Sequence, residues 1–365
     1  MPTIFVKDDL RASVEAASGG KTTVLYTATG QPSYMNIVPK FNLEDIDESL
    51  GTGVHPAFIV GGVEKSELFI GTYQGIVKNG EFLSLPGVIP SYANSFEKFV
   101  NWSRANGDGW HLISNVEFTA LALWCWKNGF MPRGNNNSGR SSLAKWETCL
   151  RTDGGSPGVP NYTLGAVAPT GSGPMSWRHD NSAGGISDLC GNVSEWSPGL
   201  RIVSGEIQVI ENNNAALNAT DFSKTSSAWK AIDGKTGALI APKFTGTIDG
   251  GNYVPTTENS VRYDVSGTEN YTLVLAKGKP FATMTNPGAT PVSGAALVVL
   301  KKYGLYPASD TEIGGSCVSI DAVGERIAFR GGCYDTIGAG VFALSLDGDR
   351  GSHSFRVGSR PAFVL

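Results

Sequence analysis

The side chains that could carry chemistry are scattered along this sequence. Its four histidines show no HxxxH or HxE spacing, and its five cysteines include no CxxC pair. These residues are His55, His111, His179 and His353, and Cys125, Cys149, Cys190, Cys317 and Cys333. Zinc sites and disulfide frameworks are normally recognised by such close spacings. The spacing therefore predicts neither, and we expect most cysteines to be buried small apolar residues.

Hydrolytic and phosphate-binding sites are not indicated either. No GxSxG elbow occurs, and the sequence WRHD at 177–180 is typical of a polar cluster packed on a tryptophan. The glycines at 154–155 and 171–173 lack the strand-then-helix context of a phosphate-binding loop. We interpret them as turns.

The charge balance argues against two further classes of partner. Lys and Arg total 29 against 33 Asp and Glu, which gives a net charge of -4 and a pI near 5.7. Such a chain has no electrostatic footprint for nucleic acid or anionic lipid. No apolar run approaches the roughly 18 residues of a membrane span, and charges interrupt the N-terminal stretch where a signal peptide is apolar. We expect no nucleic-acid partner and no signal peptide.

Composition and local patterns indicate two units. The 47 glycines and 19 prolines favour loop-rich β structure. Residues 1–45 form a predicted small β-rich N-terminal domain with strands near 22–27 and 34–38. Residues 46–365 form the second predicted unit. It includes an inserted segment at about 201–288, where short strand-like runs alternate with Thr, Asn and Gly.

Sharper local signals lie inside the second unit. Asn79-Gly80 is a strong two-residue hairpin signal between two strand-like runs. A helix is predicted near 95–105, and a second begins at the capping box formed by Ser114 and Glu117. Residues 131–185 are mostly Gly, Asn, Ser and Pro, which predicts loops.

Four segments together resemble the formylglycine-generating-enzyme type of C-type lectin fold. Residues 109–118 (GWHLISNVEF) are similar to the family's helix start, "yRLPTEAEWE", and residues 189–196 (LCGNVSEW) to its "GNVWEW". Residues 330–332 (RGG) resemble "RGGSW", and residues 357–362 (VGSRPA) resemble "iGFRpa". All four occur in the family's order. The resemblance implies an α+β, loop-rich, C-type lectin fold.

Residues 330–362 resemble a narrower group, the variable regions of proteins diversified by diversity-generating retroelements. The segment reads RGGCYDTIGAGVFALSLDGDRGSHSFRVGSRPA, with one residue fewer than the family pattern before Ala339 and with Ser359 where an aromatic is usual. In such systems only template adenines mutate, so asparagine codons change while a framework of Gly, Val, Phe, Leu and Arg persists. The resemblance implies a ligand-binding variable region with Phe342 and Leu344 among its framework residues. Because Phe342 and Leu344 alternate with Ala343, we also predict a strand whose inward face carries these two larger side chains.

The implied ligand-binding residues lie at or beside the variable positions. They are Cys333, Tyr334, Asp335, Thr336, Ile337, Ser345, Asp347, Gly348, Asp349, Ser352, His353, Ser354, Phe355 and Arg356. A mutable site needs side chains on solvent-exposed backbone held by a scaffold. We therefore expect six of these residues to be exposed together, namely Tyr334, Asp335, Ser345, Asp347, Ser352 and Phe355.

The resemblance also raises the question of a metal. In the lectin-like family the segment around Asn192 and Glu195 can bind calcium through oxygen ligands. In the competing interpretation, Asn192 caps a tight turn and Glu195 pairs with an arginine, while Trp196 lies in the core. Copper-dependent relatives use a C-x4-C pair, but Cys333 is followed by Gly338 at the second position. Iron-dependent relatives need three histidines. No cofactor is therefore required, and calcium remains open.

The function implied by the resemblance is binding rather than catalysis. The protein would be a receptor-binding or ligand-binding protein whose exchangeable surface lies in the variable region, as at a phage tail-fibre tip or on a surface-displayed adhesin. Its partners would be a host-cell surface receptor, protein or glycan, and other virion or display proteins. Family precedent suggests a homotrimer. The alternative is a metal-dependent oxidase of the formylglycine-generating or sulfoxide-synthase type.

Overall fold

The computed structural model describes residues 8–247, 253–264, 267–276, 278–309 and 316–365. Within these ranges the chain is a mixed α+β protein, composed mostly of loops and sheets, with one sheet curled into a half-barrel. The helices are α1 Asp9–Ser18, α2 Leu43–Ile46, α3 Phe96–Ala105, α4 Asn115–Lys127 and α5 Gly294–Lys302. None of the helices in this described part is long and apolar enough to cross a membrane.

The strands are short and numerous. The first eight are β1 Thr22–Tyr26, β2 Pro32–Pro39, β3 Ile59–Val60, β4 Val63–Glu64, β5 Glu67–Gly71, β6 Gly75–Lys78, β7 Glu81–Ser84 and β8 Trp110–Leu112. The next eight are β9 Ser194–Val203, β10 Glu206–Ile210, β11 Trp229–Ile232, β12 Leu239–Ile240, β13 Phe244–Thr245, β14 Val254–Pro255, β15 Arg262–Tyr263 and β16 Thr272–Leu273. The last are β17 Val318–Ile320, β18 Glu325–Arg330, β19 Leu344–Leu346, β20 Val357–Gly358 and β21 Pro361–Phe363.

Two sheets contain most of these strands, and β3–β4, β6–β7 and β13–β14 form two-stranded sheets of their own. The smaller has the order β1-β2-β5-β21-β8, and the larger has the path β12-β11-β10-β9-β18-β19-β17. In the larger sheet β20 adds to β9 in parallel, while β15 pairs with β10 and β16. The C-terminal strands β20 and β21 therefore connect the two sheets.

The local sequence signals are confirmed where short-range chemistry decides the structure. Asn79 and Gly80 adopt φ angles of 51° and 81°, and they close the β6–β7 hairpin. These positive values suit the two-residue turn, which matches the twist of the flanking strands. The capping box at α4 also forms, because Ser114 accepts from the amide of Glu117 while the Glu117 carboxylate accepts from the amide of Ser114.

The predicted division into domains does not match the strand pairing. Strand β2 pairs along five positions with β5, so the hairpin of residues 22–39 belongs to the smaller sheet and is not a separate N-terminal unit. Residues 9–18 are helical rather than β, with Asp8 as the cap and Gly19 in the left-handed conformation that ends the helix. Arg201 is not a boundary either, since it lies inside β9 near the middle of the larger sheet.

The framework of the C-terminal region is buried, although its predicted alternation is wrong. Phe342 and Leu344 are 2% and 1% exposed, but Ala343 between them is only 3% exposed. Strand β19 begins at Leu344, and a turn closed by the Ala343 amide on Gly340 precedes it. The Phe342 ring stacks on Phe281, with centroids 6.3 Å apart. All three residues therefore face protein rather than solvent.

We predict that Phe342→Ala and Leu344→Ala each lower the free energy of unfolding by about 2–5 kcal/mol, because each leaves a cavity in a packed core. Denaturant unfolding measures the change. The control is Ile337→Ala, which truncates a side chain that is 68% exposed and should cost less than about 0.5 kcal/mol. Losses below about 1 kcal/mol for both framework variants would contradict the packing described here.

A buried histidine makes stability depend on pH. His55 is fully buried, its Nδ1 accepts from the amide of Ala57, and burial lowers its pKa from 6.5 to about 3. Below pH 6.5 the unfolded chain gains a proton here that the folded chain does not take up. Because the unfolded state then binds more protons, the stability contributed by His55 is present above that pH and is lost as the pH falls.

We predict that His55→Asn reduces this pH dependence, because its amide oxygen still accepts from Ala57 but does not titrate. The free energy of unfolding of the parent, relative to that of the variant, should decrease by up to about 1.4 kcal/mol per pH unit below pH 6.5. Urea unfolding at several pH values measures both proteins. Parallel profiles for the two would contradict the prediction.

Candidate ligand-binding site

A cleft of about 420 Å³ opens beside β19 in the C-terminal region. Eight of the predicted ligand-binding residues line it: Cys333, Thr336, Ser345, Asp347, Gly348, Ser352, Ser354 and Arg356. The remaining lining residues come from the scaffold: Ser194, Cys317, Ser319, Phe329, Gly332, Ala343, Leu344 and Val357. Segments that are separate in the sequence therefore face one cavity.

Backbone geometry holds these segments in place. Strand β19 lies between β18, to which it is antiparallel, and β17, to which it is parallel. The turn at 333–336 is closed by the Thr336 amide on the Cys333 carbonyl at 3.0 Å. It follows Gly331, whose φ is 82° and where a Cβ would lie 2.7 Å from the Leu189 carbonyl oxygen. Only glycine fits this close approach without a shift of the backbone.

The polar groups of the cleft are partly satisfied within it. Asp347 is exposed, and its carboxylate accepts hydrogen bonds from Ser345 and from Ser319. Across the cleft, Arg356 forms an ion pair with Asp335 at 2.7 Å. Burial alone would raise the pKa of Asp335, but hydrogen bonds from Arg356 and Cys333 hold it below its usual value. The cleft therefore offers hydroxyls, a carboxylate and a guanidinium to a ligand.

Tyr334 is a correction to the expected exposed set. It is 2% exposed and packs with Ala166, Val167 and Val193, because the chain turns it inward beneath the loop at 165–167. Phe355 is half-buried against the same cluster. Asp335, Ser345 and Ser352 are half-buried as well, and Asp347 is exposed. Tyr334 is therefore the one residue of the expected set that lies in the core.

The other predicted ligand-binding residues lie outside the cleft lining. Ile337, Asp349 and His353 are exposed on its flanks. His353 is held by a hydrogen bond of 2.8 Å between its Nδ1 and the carbonyl of Gly351. These three side chains are free to contact a partner larger than the cleft.

The cysteines behave as packing residues. Cys125, Cys149, Cys190 and Cys333 are buried and Cys317 is half-buried, all as free thiols. Burial raises the pKa of Cys333 to about 12, so it is a neutral thiol at physiological pH. No group of three or more His, Cys, Asp and Glu side chains with metal-site geometry occurs in the part of the chain described here.

The oxygens of Glu195 and Asn192 are already occupied. Arg360 donates to both carboxylate oxygens of Glu195 at 2.7 and 2.6 Å, and Gln74 donates to one of them at 3.0 Å. The Asn192 side-chain oxygen accepts from the amide of Ala168 at 2.8 Å. A calcium ion needs these oxygens free, so the residues present do not fit one. The arrangement matches the alternative interpretation, with Glu195 paired to an arginine and Trp196 fully buried.

A loop that the sequence did not identify as functional contacts the predicted variable region. The amide of Ser138 donates to the carbonyl of Tyr334 at 2.6 Å, and the Ser142 hydroxyl donates to that of Ile337 at 2.9 Å. The loop beyond exposes several large apolar side chains: Leu143, Trp146, Leu150, Val159, Tyr162 and Leu164. The sequence feature that could have identified this loop is the presence of large apolar residues in a stretch otherwise rich in Gly, Asn, Ser and Pro.

Comparison with protein-family models finds no family that matches this chain, and comparison with the curated proteins finds no match either.

We predict that Arg360→Met lowers the free energy of unfolding by about 3–5 kcal/mol, because it leaves the Glu195 carboxylate buried without its charge partner. The double variant Arg360→Met/Glu195→Leu should recover part of this loss, since it removes the unpaired charge.

Thermal unfolding with calcium or with EDTA should give the same midpoint for the parent. A midpoint raised by calcium would contradict the occupied-oxygen description.

Proposed function

We propose that this protein is a binding protein with a C-type lectin fold of the formylglycine-generating-enzyme type, and that its C-terminal segment is an exchangeable ligand-binding surface. The observation that carries the proposal is the cleft beside β19. Eight of the residues that line it are ligand-binding residues implied by the resemblance to variable regions. The partner is a receptor on a host cell. The protein binds it as part of a virion tail fibre or as an adhesin displayed on a cell surface.

The fold assignment is supported by contacts among the four segments that carry the resemblance. In β20, Gly358 pairs with Glu195 of β9, and Arg330 of β18 pairs with the same residue. Arg330 also donates to the side chain of Asn115 at 2.6 Å, at the start of α4. In β21, Ala362 pairs with His111 of β8. The four motifs therefore form one connected interior, which is what a shared fold requires.

The proposed surface is suited to sequence exchange because its framework residues are buried while its cleft residues face solvent. Framework residues such as Phe342 and Leu346 are buried, whereas the cleft residues Ser345, Asp347 and Ser352 reach solvent. Substitutions at exposed positions usually change stability by less than about 0.5 kcal/mol. Sequence changes at the cleft can therefore alter binding without loss of the fold. Trimeric display would raise the avidity of a weak single site without any new contact.

The first test of this proposal is genetic. The DNA beside the coding sequence should contain a reverse-transcriptase gene and a near copy of codons 330–362 that differs from them at adenines of the template. A differing set concentrated at the cleft codons supports the proposal. A locus with neither element contradicts diversification by a retroelement.

We predict that a display library randomised at Thr336, Ser345, Asp347, Ser352 and Ser354 stays folded and yields binders to a folded protein such as lysozyme. The physical reason is that all five side chains line the cleft and reach solvent. Protease-resistant display measures folding, and sorting with labelled lysozyme measures binding.

Two libraries serve as controls for that experiment. One randomises Ala12, Ser13, Ala16 and Ala17, which are exposed on α1, and should stay folded but give fewer binders than the cleft library. The other randomises the buried residues Phe342, Leu344 and Leu346 and should lose folded display. Unfolding of the cleft library, or a binder frequency no higher than that of the α1 library, would contradict an exchangeable surface.

A further inference from the structure

A second cavity, of about 360 Å³, shares no lining residue with the cleft beside β19. It lies between the end of α1, strand β2 and helix α4, and its size is within the range of small-molecule pockets, about 300–1,000 Å³. Neither the variable region nor the loop that contacts it takes part. The proposed receptor-binding role therefore leaves this cavity unexplained.

The walls of the cavity form an apolar slot with one aromatic face. Leu121 and Trp124 are three residues apart on α4, so they lie on the same face of the helix. Ile37 and Val38 of β2 provide further apolar lining. The partly buried Trp124 ring packs against the imidazole of His179, with centroids 5.2 Å apart. A flat ring can contact these groups with little loss of conformational entropy.

His179 offers the slot a hydrogen-bond donor. The Nδ1 atom of His179 accepts from the amide of Ile186 at 2.8 Å, and burial lowers the pKa of His179 to about 4. The neutral ring therefore carries its proton on Nε2, which makes no hydrogen bond to the described part of the chain. Asn36 contributes no free group, because its amide donates to the Gly184 carbonyl and its oxygen accepts from Thr72.

The remaining charges at the slot cancel. Lys21 pairs with Asp180 at 2.7 Å, and Ser182 also donates to that carboxylate. Because Lys21 already pairs with Asp180, a ligand carboxylate entering the slot would lose its hydration without gaining a free charge partner. An uncharged acceptor carries no such cost.

We propose that this cavity binds a small, flat, uncharged molecule that places an aromatic ring against Trp124 and a carbonyl oxygen on the Nε2–H of His179. The site is independent of the proposed receptor-binding surface, so either can fail without the other.

The experiment uses the full chain labelled with 5-fluorotryptophan and titrated with benzamide, followed by fluorine NMR. The Trp124 resonance, assigned by its loss in Trp124→Phe, should shift saturably with a dissociation constant on the order of 1 mM, as expected for so small a ligand. The resonances of Trp146 and Trp229, which do not line the cavity, serve as internal controls and should not shift. The absence of a saturable Trp124 shift overturns the proposal.

Two comparisons test the chemistry of the site. Benzoate should bind more weakly than benzamide, and tighter binding of benzoate overturns the assignment of an uncharged ligand.

His179→Asn keeps an acceptor for the Ile186 amide but lacks the Nε2–H donor, so benzamide should bind about tenfold more weakly. Unchanged affinity in this variant, with its fold verified by the other tryptophan resonances, overturns the role of His179.

Discussion

The buried ion pair between Glu195 and Arg360 is the interaction on which the rest of the structure depends. Both side chains are at most 1% exposed, and Arg360 also donates to the carbonyls of Gly71 and Ser187 at 2.9 and 3.0 Å. Gln74 donates to the same carboxylate. One guanidinium thus joins β5, β9 and the C-terminal strands, and a pair of this kind is costly to break because either charge alone would be buried without a partner.

A second buried arginine supports the other end of the predicted variable region, residues 330–362. Arg330 donates to the side chain of Asn115 and to the carbonyl of Gly304. The segment therefore leaves the core at one held arginine and returns to it at Arg360. Chain held at both ends by the core can carry different side chains at its solvent-facing positions while its backbone path stays the same. Under the proposed function, this division would let an exchangeable surface and a stable fold share about thirty residues of one chain.

Sequence reasoning succeeded where the deciding interactions are local. The hairpin at Asn79-Gly80 and the capping box at Ser114 each depend on residues within one turn, and both form. Domain boundaries depend instead on which strands pair, and the β2–β5 and β9–β18 pairs join residues far apart in sequence. Helix α1 was missed because none of its residues is buried, which leaves almost no apolar pattern to read. Residue types at variable positions likewise carry no information about depth, so the burial of Tyr334 could not be predicted.

Side-chain burial divides the predicted variable region into two parts that tolerate substitution to different degrees. Cys333 and Tyr334 are buried, and the Tyr334 hydroxyl has no hydrogen-bond partner within the described structure, so most replacements there change packing as well as chemistry. Ser345, Ser352 and Ser354 carry small side chains beside an open cleft. Larger residues at Ser345, Ser352 or Ser354 would fill space in the cleft, whereas a Cβ at Gly348 would lie 2.2 Å from the Phe329 ring. Under the proposed function, the exchangeable positions would therefore set the shape of the cleft as well as its hydrogen-bonding groups. A few substitutions in this second part could then convert a concave site into a flat or protruding one.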